Sequence, residues 1–270
     1  MGTTLAPTTF LDPQVLAGLD VDAFLQRSPF PWLNPVGLLA APAFEQLCAQ
    51  FPPLSLFERH ESRSRHYGQR PHDRYYLAYE TSIYHGPSAG ASAPGVARLT
   101  DLPLPWQQFL TELQTSESFH RFIRQALGSD RYLMRFAWHV GTGGSEVSPH
   151  LDSELKIGTL IFYFNTDANW DPAWGGATLV LGDRKTKVMN PDFNQFGTII
   201  PTQFLNNRCF LFRNTPEAWH GVEALTCPAG QQRRLFNVVF ELPESRPAVT
   251  TADLGSKRQR LKQLIKRLLP

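Results

Sequence analysis

Residues 150–181 read HLDSELKIGTLIFYFNTDANWDPAWGGATLVL. Two runs within this stretch, Ile157–Asn165 and Ala177–Leu181, are rich in β-branched and aromatic residues and are separated by turn formers. Each reads as a strand. His150 and Asp152 stand just before the first run, behind the Gly-rich stretch GTGGS and near the end of another β segment. Side chains two apart in an extended chain point the same way, so one imidazole and one carboxylate can reach the same metal ion. A chain of this composition gives about 0.4 His-x-Asp pairs by chance, so the pair alone carries little weight.

What lies around it adds weight. Tyr132–Val140, Thr198–Ile200, Arg208–Arg213 and Leu235–Leu242 are further short strand-like runs, a pattern that suits an all-β barrel or sandwich. His220 follows His150 by 70 residues, within FRNTPEAWHGVE, between two of these runs. Arg233 and Arg234 come next, 13 and 14 residues past His220, at the start of the last run, RRLFNVVFEL. Two histidines and one carboxylate on one face of a metal leave three positions open, the arrangement of non-haem Fe(II) oxygenases. A guanidinium deep in the same barrel suits the far carboxylate of a dicarboxylic co-substrate.

The first half of the chain is mixed and mostly helical. Asp12-Pro13 can start a helix that Val15, Leu16, Leu19 and Phe24 continue, and Pro42–Phe51 is a second helix. Pro105–Leu127 reads as one longer helix with a broad apolar face (Trp106, Phe109, Leu110, Leu113, Phe119, Phe122, Ile123), ended by Gly128. Residues 58–74 and 86–95 read as loops, the former with five arginines and the latter small and flexible. We expect one domain over 1–270: a helical and lid part over 1–129, a β core over 130–242 and a basic amphipathic helix over 255–270.

Composition excludes several classes. Of 270 residues 42% are hydrophobic and 19% charged, which suits a globular chain. The net charge of +2 hides a split: residues 255–270 hold six cations and no acid, and the rest has four more acids than bases. No nucleic-acid partner is expected from that balance, and no membrane partner, because no stretch approaches about 18 apolar residues. Three scattered cysteines give neither a disulfide framework nor a thiolate zinc site. With no signal-peptide pattern at the start, a cytoplasmic location is expected. Oligomeric state is not readable.

The order of motifs resembles that of the Fe(II)/2-oxoglutarate-dependent dioxygenases over roughly residues 130–242, most nearly their prolyl-hydroxylase-like branch. That branch has His-x-Asp, a basic residue, a strand ending Tyr-Leu-Asn, then Trp and Gly-Gly before another strand. Here stand HLD, Lys156, TLIFYFN and NWDPAWGGATLVL, followed by the distal His and Arg. The resemblance implies a mainly β fold with flanking helices around a double-stranded β-helix core of the jelly-roll or cupin-like type. It implies Fe(II) on His150, Asp152 and His220, with 2-oxoglutarate and O2 as co-substrates. Tyr163 and Arg233 would bind the distal carboxylate of 2-oxoglutarate. Arg234 stays open as an alternative, since a slip of one residue turns the other side chain inward. Arg135 and His139 would meet the other carboxylate or the substrate, Arg135 equally suiting a surface salt bridge. Trp219 and Asn237 would flank the ligands.

The reaction implied is hydroxylation of an unactivated C–H bond, with release of succinate and CO2. Related halogenases lack the carboxylate ligand, so Asp152 points away from halogenation. The expected substrate is a small, anionic metabolite, an amino acid or a natural-product intermediate, bound by the lid residues Arg70, Arg74 and Tyr76 and by Arg135. The alternatives are a peptidyl (prolyl-type) hydroxylase and a non-catalytic cupin-like metal-binding module. The remaining histidines, His60, His66, His72, His85 and His120, lie in loops or on a helix with no carboxylate at useful spacing.

Overall fold

The computed structural model describes residues 9–62, 70–85 and 93–243. The basic segment 255–270, residues Arg63, Arg65 and His66, and most of the 86–95 loop lie outside the described residues.

In chain order the strands are β1 Trp32–Leu33, β2 Glu58–His60, β3 Arg74–Tyr79, β4 Val96–Ala97, β5 Leu133–Gly141, β6 Val147–His150, β7 Lys156–Tyr163, β8 Leu179–Arg184, β9 Phe196–Pro201, β10 Cys209–Arg213, β11 Trp219–Val222 and β12 Arg233–Glu241. The helices are α1 Pro13–Ala17, α2 Val21–Leu25, α3 Ala41–Ala49, α4 Leu104–Thr115 and α5 Glu117–Leu127. The larger sheet runs β1-β10-β7-β12-β5-β3-β2, with β4 parallel to β3. The smaller runs β6-β11-β8-β9. This is a mainly β, antiparallel fold with helices outside it.

Strand alternation assigns the two faces of the larger sheet. Phe136 and Trp138 of β5 and Phe236, Val238 and Phe240 of β12 join Trp106, Phe109, Leu113 and Ile123 of the helices in one buried cluster. Each fully buried Phe or Leu there contributes about 1.5–3 kcal/mol. The intervening residues, Arg135 and His139 on β5 and Arg233, Leu235, Asn237 and Val239 on β12, line a cavity on the other face. So many polar residues on an inward face suit a site rather than a core.

Three local expectations change. The long helix over 105–127 is two, because Ser116 adopts an extended backbone (φ −71°, ψ 106°) and its hydroxyl caps α5 at Phe119 N. Gly128 does end α5, at φ +67°, and a Cβ there would lie 3.3 Å from the Arg213 guanidinium. The segment 58–74 is not all loop. Its ends form β2 and the start of β3, a charged edge that extends the sheet into the N-terminal part of the chain. Charges on an edge strand discourage pairing with another chain, and they also mask the strand's signature.

Candidate metal and co-substrate site

β6 and β11 are antiparallel neighbours, with His150 directly opposite His220. The two rings lie 4.3 Å apart. Each Nδ1 is 2.9 Å from a backbone carbonyl two residues back, that of Ser148 for His150 and of Ala218 for His220. A carbonyl only accepts, so each Nδ1 donates, and in the neutral ring Nε2 carries the lone pair a metal would take. Asp152 completes the cluster, and one ligand atom from each residue lies within 4.8 Å of the others. Among the described residues this is the one group of three or more His, Cys, Asp or Glu that could hold an ion. Two imidazoles and a carboxylate on one side of a point suit Fe(II).

The loop carrying Asp152 is held from several directions. Lys156 Nζ contacts Oδ1 at 2.6 Å, and Thr159 Oγ1 lies 3.4 Å from Oδ2. Burial alone would raise the carboxyl's pKa, but the Lys156 ammonium and the two imidazoles hold it well below the ordinary range. Asn214 donates to the carbonyls of Ser153 (2.9 Å) and Lys156 (2.8 Å), tying this loop to the end of β10.

The triad lines a cavity of about 1100 Å³ that Arg233 also reaches. Arg233 Nε donates to Gly176 O at 2.7 Å, and its guanidinium lies 5.5 Å from the Tyr163 ring. Its Nη2 is buried without a hydrogen-bond partner. Burial lowers its pKa, only partly countered by Tyr163. The Tyr163 hydroxyl lies 2.7 Å from Thr178 Oγ1. A buried guanidinium with an unused donor fits a carboxylate guest. Gly176 sits at φ +108°, and a Cβ there would approach Arg233 Cδ to 3.1 Å. The second glycine of the Gly-Gly pair therefore makes room for this arginine.

Other expected residues are placed differently. Arg234 points to the opposite face, 5.7 Å from the Phe51 ring, so it faces away from the cavity. Trp219 packs on Phe196 and Arg184 while still lining the cavity's edge. Arg70 does not line the cavity. It pairs with Asp192 (2.6 Å) and Glu146 (3.1 Å), because its segment crosses beside the smaller sheet. Arg135 makes a salt bridge, but a buried one: its Nε and Nη2 both lie 2.9 Å from Glu241 Oε1.

His139, Asn237, Tyr76 and Arg74 line the cavity, as does Arg135 despite its salt bridge. His139 is held neutral far into the acid range, first by burial and then by the charges of Arg74, Arg135 and Arg233. Asn237 Oδ1 is buried without a hydrogen-bond partner. Sequence reading missed His72, which is 5% exposed and whose ring lies 5.5 Å from that of His150. Glu58 takes His60 and His85 at 2.9 and 2.8 Å, a carboxylate contact that spacing did not suggest. The Glu58–His60 contact is local, two residues apart on β2, whereas His72 and His85 reach their neighbours across the fold, where no local pattern signals them.

Comparison with known proteins agrees with this geometry. Residues 134–241 match the family model of the 2OG-Fe(II) oxygenase superfamily. Those residues carry a 2OG-Fe(II) oxygenase domain. A search of curated proteins finds no match. Among solved structures, the chain is similar to a Pseudomonas putida prolyl-4-hydroxylase (TM-score 0.53, 15% identity, covering 82% of this chain and 96% of that one). It is also similar to a Trichoplax adhaerens prolyl hydroxylase solved with a hypoxia inducible factor peptide (0.53, 12%, 86% and 91%). A third is the α-ketoglutarate-dependent epimerase SnoN of nogalamycin biosynthesis (0.52, 13%, 85% and 84%). At such identities the likeness is one of fold, the double-stranded β-helix. Oxygenases of this family use Fe(II), 2-oxoglutarate and O2. Among the described residues no helix is long and apolar enough to cross a membrane.

Proposed function

We propose that this oxygenase hydroxylates an unactivated C–H bond of a small, anionic metabolite, an amino acid or a natural-product intermediate. The observation that supports this most is one cavity lined by both the His150–Asp152–His220 cluster and a buried Arg233 with an unused donor. In this reading His150, Asp152 and His220 hold Fe(II), and Arg233, with Tyr163 beside it, takes the distal carboxylate of 2-oxoglutarate. The bound metal and co-substrate supply O2 activation coupled to decarboxylation, giving succinate and CO2.

The chain's own residues bind and orient. Backbone carbonyls hold both imidazoles in the Nδ1–H tautomer, Lys156 and Thr159 hold the carboxylate, and Gly176 O aims Arg233. Asp152 occupies the place a halide would need, which favours oxygenation over halogenation. Likeness to prolyl hydroxylases supports a second reading, a peptidyl hydroxylase.

The test is succinate release by purified protein with 2-oxoglutarate under air, with and without Fe(II), followed by screening metabolites and prolyl peptides for faster release. We expect Fe(II)-dependent succinate and loss of turnover in His150→Ala and His220→Ala. Full turnover in His150→Ala would remove the metal assignment. Acceleration by peptides alone would favour the second reading.

A further inference from the structure

We propose that Arg74 and Tyr76, on β3, form an anion-binding subsite for the primary substrate, separate from the Arg233 pocket and selective for a carboxylate or phosphate group. The proposal rests on the oxygenase reading above and gives the substrate's anionic group a place.

Four observations converge. First, Arg74 lines the cavity, yet no carboxylate of the described residues lies within salt-bridge distance of it; its Nη2 donates instead to a phenol oxygen, Tyr84 Oη, at 2.8 Å. Second, two donors are buried here: Arg74 Nε has no hydrogen-bond partner, and Tyr76 Oη has the Arg135 guanidinium beside it without a close hydrogen bond. A guanidinium only donates, so the phenol's own O–H stays available, and an anionic oxygen would accept from it and from Arg74 Nε. Third, the side chains are preorganised. The Arg74 guanidinium lies 5.8 Å from the Tyr76 ring, and Tyr84 meets Tyr76 edge-on at 5.0 Å. Fourth, the other cations of this wall have partners or an assigned guest. Arg135 is neutralised by Glu241 and Lys156 by Asp152. Arg233 would be neutralised by the distal carboxylate of 2-oxoglutarate, and the other carboxylate would sit on the metal. Arg74 would keep an uncompensated charge once the co-substrate is bound, as would Arg213, which lines the same cavity beside Gly128.

Strand register separates the two subsites. Arg233 pairs with Gly141 of β5. On the other edge of β5, Tyr75 pairs with Val140 and Tyr76 with His139. Continuing that antiparallel register puts Arg74 beside Gly141, one strand beyond it from Arg233. Two strand spacings are about 9.6 Å, which leaves room for two separate anions. Leu225 fills part of the space over Gly141, its Cδ1 lying 3.1 Å from where a Cβ would stand.

The experiment uses the full chain loaded with Mn(II) to prevent turnover and saturated with 2-oxoglutarate. Acetate and methyl phosphate are titrated separately, and melting temperature is followed in wild type, Arg74→Gln, Arg74→Lys and Tyr76→Phe. We expect at least one anion to raise the wild-type melting temperature saturably, the two arms telling carboxylate from phosphate. Arg74→Gln should weaken that anion's binding by about tenfold or more, as loss of a charge-assisted hydrogen bond implies. Arg74→Lys should retain part of it, and Tyr76→Phe should weaken it even if Arg74→Gln fails to fold. The dissociation constant of 2-oxoglutarate should stay within about threefold in Arg74→Gln, against a far larger loss in Arg233→Gln. No anion response in wild type, a response that survives Arg74→Gln, or loss of 2-oxoglutarate binding in Arg74→Gln each overturns the proposal. Failure of wild type to bind 2-oxoglutarate at all would instead remove the oxygenase reading, and the anion titrations remain readable without it.

Discussion

Arg233 and Arg234 are adjacent in sequence and stand on opposite faces of β12, the first with its guanidinium 5.5 Å from the Tyr163 ring and the second 5.7 Å from that of Phe51. Register therefore separates two chemically identical side chains. Arg233→Gln should raise the KM for 2-oxoglutarate by about 10–100-fold, the loss expected for a charge-assisted hydrogen bond. Arg234→Gln should leave that KM unchanged and cost about 0.5–1 kcal/mol of stability through its aromatic contact. Steady-state succinate release and urea unfolding measure the two quantities. Equal effects on KM would mean that β12 has slipped.

Gly176 carries this argument into the backbone. At φ +108° an alanine is strained, and its Cβ would press on Arg233 Cδ at 3.1 Å and on the Phe204 ring at 3.1 Å. Gly176→Ala should lose about 1–3 kcal/mol of stability, and 2-oxoglutarate binding should weaken as Arg233 shifts. Gly175→Ala serves as the comparison, since nothing lies within 4 Å of its Cβ position although its φ is also positive. It should lose stability while keeping its affinity for 2-oxoglutarate. Loss of affinity in both variants would show a general effect of the turn rather than pressure on Arg233.

His150 and Asp152 were readable as a pair because a spacing of two puts them on one face. His220 and Arg233 came only with the family's motif order, which left Arg234 open because a slip of one residue exchanges the two faces. Arg135 was legible as a cation on a strand, but Glu241, 106 residues away, was not legible as its partner. Arg70 was read as a substrate ligand, yet its partners lie 76 and 122 residues distant. β2, β6 and β11 have three or four residues each, too short for a periodic signal, so the contacts of His72 with His150 and of Glu58 with His85 had no sequence trace.

Arg70 now reads as a strut between its own segment and the loops holding Glu146 and Asp192. Its side chain is 41% exposed, so each ion pair should contribute no more than about 1 kcal/mol. Arg70→Ala should lower stability by that order and leave the KM for the primary substrate unchanged. Asp192→Asn should add little in the Arg70→Ala background, because the shared contact is already gone. A tenfold rise in that KM would restore Arg70 as a ligand.

The Arg135–Glu241 pair should behave differently, because both partners are buried. Arg135→Met strands a carboxylate, which typically costs about 3–5 kcal/mol. Arg135→Met/Glu241→Met removes both charges and should recover most of that loss. Chemical denaturation of the two variants decides the matter. If the double variant is as unstable as the single one, the pair contributes packing or substrate-site order rather than charge balance.

His139 gives a pH signature. Burial and then the charges of Arg74, Arg135 and Arg233 depress its folded pKa well below the usual value. In the unfolded chain it titrates near ~6.5, so below that pH the unfolded state binds a proton that the folded state refuses. Stability must then fall as pH drops from ~6.5 toward the folded pKa, with a slope from this residue approaching about 1.4 kcal/mol per pH unit. Above ~6.5 both states are neutral and the contribution is flat. His139→Gln should remove this share of the acid sensitivity, so the difference between variant and wild type must narrow or reverse between pH 6.5 and 5. Unfolding free energies of the metal-free proteins across that range provide the test. A constant difference would show that His139 gains its proton in the folded state as easily as in the unfolded one, and that the three guanidiniums do not act on it.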